Sequence, residues 1–213
     1  MSLSIRDAIC SNNIGQLRRA VENGDINWQE PEYGASPLYL AAERGFTELV
    51  SFLTDLGAKP GPMTFLGWTA FHIAAQEGRA DCIRIMAAAD KSSIDDQQEN
   101  FTKSTAMILA CKNGHVEVLV ALLDAGACSD KWNAFGQGPA HIACQFGHVK
   151  CLQILLGRGA DCTSSDNQGI TPMDLAIIFE QPDCVGVLLA RKIFWSTQFP
   201  FVYGEQKVTL IGI

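Results

Sequence analysis

Four side chains with metal-binding or nucleophilic chemistry crowd one short stretch: His141, Cys144, His148 and Cys151, separated by two, three and two residues. Imidazole nitrogen and thiolate sulfur are ligands that tetrahedral zinc takes, so the spacing alone offers a four-ligand metal site. The same set offers a second chemistry, a cysteine thiolate activated by a neighbouring histidine, which requires an accessible setting. Both readings demand that the side chains converge on one reachable point. Whether they do depends on the elements that carry them.

Those elements repeat. A short pattern opens at Ser36, Thr69, Thr105, Gly138 and Thr171, in steps of 33, 36, 33 and 33 residues, and self-similarity at such a period marks a stack of small supersecondary units. Glycine stands nine residues after the opening at Gly45, Gly78, Gly114 and Gly147, and two before it at Gly34, Gly67, Gly136 and Gly169. Glycine in phase marks backbone that needs positive φ or close approach. Between the glycines run two apolar patterns per repeat with helical spacing, such as Val116, Leu119, Val120, Leu122 and Leu123. Each repeat is predicted to be a helix, a tight turn, a second helix and a return loop. The Ser or Thr at four openings caps the first helix, and the proline after Ser36 and Thr171 suits its first turn.

Ser36 to Ala41, Thr69 to Ala74 and Thr171 to Ala176 read as variants of Thr-Pro-Leu-His-x-Ala. Gly114 to Val118 reads Gly-His-Val-Glu-Val, and Gly159, Ala160, Asp161 close a repeat, as Gly57, Ala58 and Gly126, Ala127 do in part. Together these phased motifs resemble the ankyrin repeat family. The resemblance implies an all-α ankyrin-type solenoid of about six repeats within residues 1–190. The repeats would be a diverged amino-terminal one at 2–33, which includes Gly24, four full ones at 34–66, 67–102, 103–135 and 136–168, and a diverged last one at 169–190. An apolar extension at 191–213 follows.

The phase reassigns the candidate chemistry. Cys82, Cys151 and Cys184 sit 13 residues after their openings, where other repeats carry Leu49 and Val118, and Cys111 and Cys144 sit six after, where Ala42 and Ala75 stand. Five of the eight cysteines thus take inward apolar positions, as free thiols in a core do. His141 falls on the family's opening histidine, which the resemblance implies bonds locally to the return loop. No metal, cofactor or catalytic residue is therefore expected, and no phosphate-binding glycine loop with its lysine or nucleophile elbow occurs. A zinc-dependent or redox-sensing module remains the weaker alternative, separable by metal and thiol assays. Unpaired thiols suit a reducing compartment, which gives the cytoplasm as the expected location, with the nucleus also open.

Sixteen Lys and Arg against 23 Asp and Glu give a net charge of −7, which argues against nucleic-acid binding through phosphate counterion release. No apolar stretch approaches the ~18 residues of a membrane span. What remains is binding of a protein or peptide. By resemblance to the family, residues just before each opening form hairpin-like fingers, and those seven and eight after it line a concave face. These positions hold Tyr33, Glu43 and Arg44, then Phe65, Trp68, Gln76 and Glu77, then Phe101 and Lys112, then Trp132, Phe135 and Phe146, and finally Phe179. Large aromatics gathered on an outward surface compose a hot-spot patch. With Glu30, Glu32 and Glu43 at its amino-terminal end, the patch suits a partner with apolar anchors and a basic flank. An adaptor, scaffold or regulatory inhibitor is the expected role. The runner-up is the substrate-recruiting part of a larger enzyme such as a ubiquitin ligase or kinase.

Two departures stand out. The third interval carries three extra residues between Asp90 and Thr105, and polar Asp95 to Asn100 should project as a longer loop. The last repeat has Glu180 where the turn glycine belongs, then Pro182, and its second helix is expected to end near Arg191. Beyond it Phe194, Trp195, Phe199, Phe201, Tyr203, Leu210 and Ile213 suggest two extended runs around Gly204 and Glu205. Such a tail should fold back as a cap, with self-association through it as the alternative.

Overall fold

The computed structural model describes residues 5–22 and 25–198, with side chains through residue 191. Among the described residues there are twelve helices and no strand. They fall into six antiparallel pairs: α1 (Ile5–Cys10) with α2 (Ile14–Val21), α3 (Pro37–Arg44) with α4 (Thr47–Asp55), α5 (Ala70–Gln76) with α6 (Ala80–Ala89), α7 (Ala106–Asn113) with α8 (Val116–Asp124), α9 (Pro139–Gln145) with α10 (Val149–Gly157), and α11 (Pro172–Ile178) with α12 (Pro182–Gln198). Odd-numbered helices stack on one another as an inner row and even-numbered ones as an outer row.

Local chemistry starts each inner helix where the sequence places it. The hydroxyl oxygens of Ser36, Thr69, Thr105 and Thr171 accept from the backbone N–H three residues on, at 3.2 to 3.4 Å, each satisfying an orphan donor of the first turn. Gly138, with no side chain, provides no such cap, and Pro139 after it only reduces by one the first-turn donors that need a partner. Stacking is close because Ala41, Ala74, Ala110, Ala143 and Ala176, in one phase, are fully buried between inner helices. The outer row adds Leu53, Met86, Leu122 and Leu155 as large inward side chains. The five in-phase cysteines lie fully buried among them.

The turns after the inner helices need left-handed backbone. Gly114 has φ 69°, and a Cβ there would lie 2.5 Å from the ring of His148 in the next repeat. Three positions keep this conformation without glycine: Asn12 at φ 47°, in the turn between α1 and α2, Lys103 at φ 49°, before the third full repeat's helix, and Glu180 at φ 53°, in the last repeat's turn. The last two each carry a steric cost of about 1–2 kcal/mol that glycine would not.

Two sequence expectations are corrected. The segment 95–100 does not project: Ser93, Ile94 and Gln98 are buried, the Asp95 carboxylate accepts from the Cys128 N–H at 2.9 Å, and Gln97 Nε2 donates to the Trp132 carbonyl at 2.7 Å. The extra residues wrap Ile94 into the array where the Gly-Ala closure is missing. The second helix of the last repeat does not stop near Arg191 but runs to Gln198, because no Gly or Pro interrupts it between Gly186 and Pro200. Gly24 and the extended runs expected around Gly204, with the capping and self-association roles assigned to that tail, lie outside the described residues.

Candidate functional site

The return loops form five fingers, each closed at its base by one backbone bond. The N–H of Thr64, Asn133 and Asp166 donates to the carbonyl of Trp68, Gln137 and Ile170, at 2.8, 3.0 and 2.9 Å. The first and third fingers are wider, closing from Glu30 to Ala35 and from Gln98 to Ser104. A side chain five residues before the opening ties four of the loops. Thr64, Asn100, Asn133 and Asp166 each accept backbone N–H groups of their own loop. Sequence reasoning missed this role, although Thr, Asn, Asn and Asp in one phase were its signal. Three of the four pairs of neighbouring fingers are joined by a backbone bond, Phe65 N–H donating to the Tyr33 carbonyl, Ala134 to Thr102 and Asn167 to Phe135, at 2.9 to 3.1 Å.

On the other flank, side chains of one repeat clamp the turn of the previous one. Arg79 Nε, His115 Nε2 and His148 Nε2 donate to the carbonyls of Glu43, Gln76 and Lys112, at 3.3, 3.0 and 3.1 Å. His148, whose type and spacing offered a metal ligand before the repeat phase reassigned it, bonds the Lys112 carbonyl instead. His141 accepts the Gly138 N–H on Nδ1 at 3.3 Å, and burial lowers its pKa. Among the described residues no three His, Cys, Asp or Glu side chains are grouped to hold an ion. The thiols are not poised nucleophiles either. Burial pushes Cys82 and Cys151 up to about 11 and Cys111 and Cys144 well above the usual cysteine range.

His72 shows the histidine arrangement in full. Its Nδ1 accepts the Thr69 N–H at 3.1 Å, so its Nε2–H donates to the Ser104 carbonyl of the next finger, also at 3.1 Å. Burial lowers its pKa to about 4. In the last repeat Asp174 replaces it, and its carboxylate accepts from the Thr171 N–H and hydroxyl at 2.9 and 2.7 Å without reaching a further loop.

The residues singled out for binding distribute unevenly. Tyr33, Phe65 and Phe101 stand 63%, 69% and 81% exposed at finger tips, and Leu66 beside them is 68% exposed. Trp132, Phe135, Phe146 and Phe179 are also exposed, Phe146 stacking on His148. Trp68 differs: it is half-buried, packed on the core and edge-on to His72, so its large ring serves the array before any partner. Glu30 also turns inward, 3% exposed and ion-paired with Arg6. Arg44, Glu77 and Lys112 are exposed at inner-helix ends, with Glu43 and Gln76 half-buried beside them. Glu43 pairs with Arg44 at 3.1 Å, and burial, reinforced by Glu43 and Glu77, pushes the nearby Tyr39 hydroxyl up to about 12.

Where the fourth and fifth fingers meet the ends of α9 and α11, the surface dips into a groove of about 330 Å³. Phe135, Ile178 and Phe179 wall it over Leu175, and Gln145 and Gln168 reach it from the helix and finger sides. Asp166 lies on its border with its charge spent on the N–H groups of Gln168 and Ile170 and on Gln137 Nε2. Ile177, 59% exposed, was missed. It occupies the phase of buried Cys111 and Cys144, and no described inner helix follows to cover it.

The comparisons with known proteins agree with this architecture. The family model described as ankyrin repeats in three copies matches residues 5–98, 89–166 and 127–198. Transient receptor potential cation channel subfamily A member 1 of Homo sapiens is 34% identical over 52% of this chain and 10% of its own. The B-cell lymphoma 3 protein homolog of Mus musculus is 27% identical over 58% and 29%. Ankyrin repeat and SOCS box protein 2 of Homo sapiens is 32% identical over 45% and 15%. The matches thus span between 10% and 29% of these relatives' lengths. The crystal structure of EF0377, an ankyrin repeat protein, superposes with a TM-score of 0.80 at 20% identity, over 89% of this chain and 98% of that one, a likeness of fold. By its phased motifs, its paired helices and the family model along nearly its whole described length, the chain belongs to the ankyrin repeat family.

Proposed function

We propose that this chain binds a protein or peptide on its fingers and inner-helix ends, as an adaptor, scaffold or regulatory inhibitor in the cytoplasm or nucleus. Ankyrin repeats are generally protein-interaction modules rather than enzymes. The observation that carries the reading is the exposure of seven large aromatics along one surface. Each side chain of that size left in water forgoes about 1.5–3 kcal/mol of burial free energy, which a partner recovers. Glu32 and Glu77, exposed at the amino-terminal end, favour a basic flank on that partner. Among the described residues no helix is long and apolar enough to cross a membrane.

A second reading, the recruiting segment of a larger enzyme such as a ubiquitin ligase or kinase, draws on the relatives, whose matched stretches fill under a third of their lengths. Affinity capture from cell extract tests the first reading. Intact chain is compared with the pairs Phe65→Ala/Phe101→Ala and Phe135→Ala/Phe179→Ala. Loss of captured protein by at least one pair at unchanged helicity is expected; identical capture by all three sinks the proposal. Trp68→Ala is unsuitable because that ring also packs on the core.

A further inference from the structure

Resting on that reading, we infer that the groove between the last two fingers and the end of α11 holds an extended, uncharged stretch of polypeptide by one large apolar side chain. Leu, Met or Phe would fill the role. Three observations define this occupant.

The first is size. At about 330 Å³ the groove lies at the lower end of ligand pockets, suiting one side chain and its adjoining peptide units rather than a cofactor. The second is wall chemistry. Phe135 and Phe179 stand 48% and 45% exposed and Ile178 60%, over the buried Leu175, so an inserted apolar side chain meets aromatic or aliphatic carbon on several sides.

The third is the polar inventory. No Lys or Arg lines the groove, which leaves nothing to attract a phosphate or carboxylate, and the Asp166 carboxylate is already satisfied by three donors. What remains is the pair of carboxamides of Gln145 and Gln168, whose side chains make no hydrogen bond among the described residues. Each offers donors and an acceptor. One stands on the helix side and one on the finger side, the complement of a peptide backbone whose N–H and C=O groups project to opposite edges. An anionic anchor would lose its hydration here without a counter-ion, and a cationic one would meet only a carboxylate whose oxygens already hold three donors.

The test is selection of phage-displayed random dodecapeptides on the full chain, followed by affinities of the winners for variants. Winners are expected to share one Leu, Met or Phe flanked by uncharged residues. Ile178→Asp should weaken them about tenfold or more, Gln145→Ala/Gln168→Ala by severalfold, and Phe65→Ala/Phe101→Ala not at all. Ile178 is exposed, so the circular dichroism melt of Ile178→Asp should match the parent. Enrichment of charged peptides without a large apolar residue, or no enrichment, overturns the inference. So does binding that survives Ile178→Asp. Displacement of the winners by a synthetic peptide of residues 199–213 would assign the groove to the chain's own tail and overturn it too. If the finger-tip pair abolishes binding while Ile178→Asp does not, the groove assignment fails while the protein-binding reading stands. The extract experiment above decides that reading separately.

Discussion

The first three fingers and the last two share one backbone plan yet present different surfaces. In the amino-terminal half the apolar side chains stand at the tips, Tyr33, Phe65, Leu66 and Phe101 being 63% to 81% exposed. The helix ends behind them carry Glu43, Arg44, Glu77 and Lys112. In the carboxy-terminal half the helix ends turn apolar, with Phe146, Ile178 and Phe179 in the same two columns, and Ile178 and Phe179 share a groove with Phe135. Two columns, seven and eight residues after each opening, make the difference. A repeat frame holds the backbone constant while those columns set recognition, tip-first in one half and groove-first in the other.

The fingers also differ in how firmly they are held, and glycine substitution should expose this most strongly. A Cβ on Gly67, at φ 73°, would fall 2.1 Å from the backbone nitrogen of Glu99, so the second and third fingers cannot stay in register. Gly67→Ala should cost about 3 kcal/mol or more in urea unfolding, combining left-handed strain with that clash. Gly169→Ala, whose Cβ meets nothing within 4 Å, should cost about 1 kcal/mol from strain alone. Equal losses would refute the close approach of the third finger to Gly67 as the source of the larger cost.

Acid should separate the two buried histidines. The His72 pKa falls from 6.5 to about 4 on folding, so between those values the unfolded chain binds a proton that the folded chain refuses. Stability therefore declines as pH drops from 6.5 towards 4, by up to ~3 kcal/mol from this residue. His72→Gln should flatten that decline in a pH series of urea midpoints, at the cost of a weaker bond to Ser104. His141→Gln should flatten it less, because the lowering by burial is partly offset by the nearby Asp166 and Asp161 carboxylates, which favour protonated His141, an opposition His72 lacks. A smaller effect distinguishes two aromatics. Trp68→Ala should cost about 2 kcal/mol, below the fully buried value, whereas Phe101→Ala, at 81% exposure, should leave the midpoint unmoved.

The repeat phase made much of this legible. It located the caps, the turn glycines and the five core cysteines from residue type alone, since each such residue answers one local demand of the backbone. It also withdrew the zinc-like spacing of His141, Cys144, His148 and Cys151, whose members point to different repeats. Less legible were features that depend on what a neighbouring repeat supplies. Trp68 reads as a finger aromatic but packs inward on the core, beside His72. The polar run 95–100 reads as a projecting loop but wraps Ile94, because the missing Gly-Ala closure leaves apolar surface to cover. The groove required Phe135, Gln145, Gln168 and Phe179 from separate elements to meet, which no single phase announces.

The last contrast concerns two of the three non-glycine residues in left-handed turns among the described residues. Lys103 holds φ 49° in the third finger, and Glu180 holds φ 53° at the end of α11, next to the groove. Both are exposed, and neither side chain makes a hydrogen bond or ion pair among the described residues, so nothing local offsets the strain. Lys103→Gly should therefore raise stability by no more than about 1 kcal/mol, relief of strain being partly cancelled by the freedom glycine adds to the unfolded chain. Glu180→Gly should do the same. If affinity for a partner falls with Lys103→Gly while stability rises, the left-handed lysine beside Phe101 is kept for presentation at the finger tip. Unchanged affinity would make it a tolerated cost of the longer third interval, and the recognition difference between the halves would then rest on the aromatic columns alone.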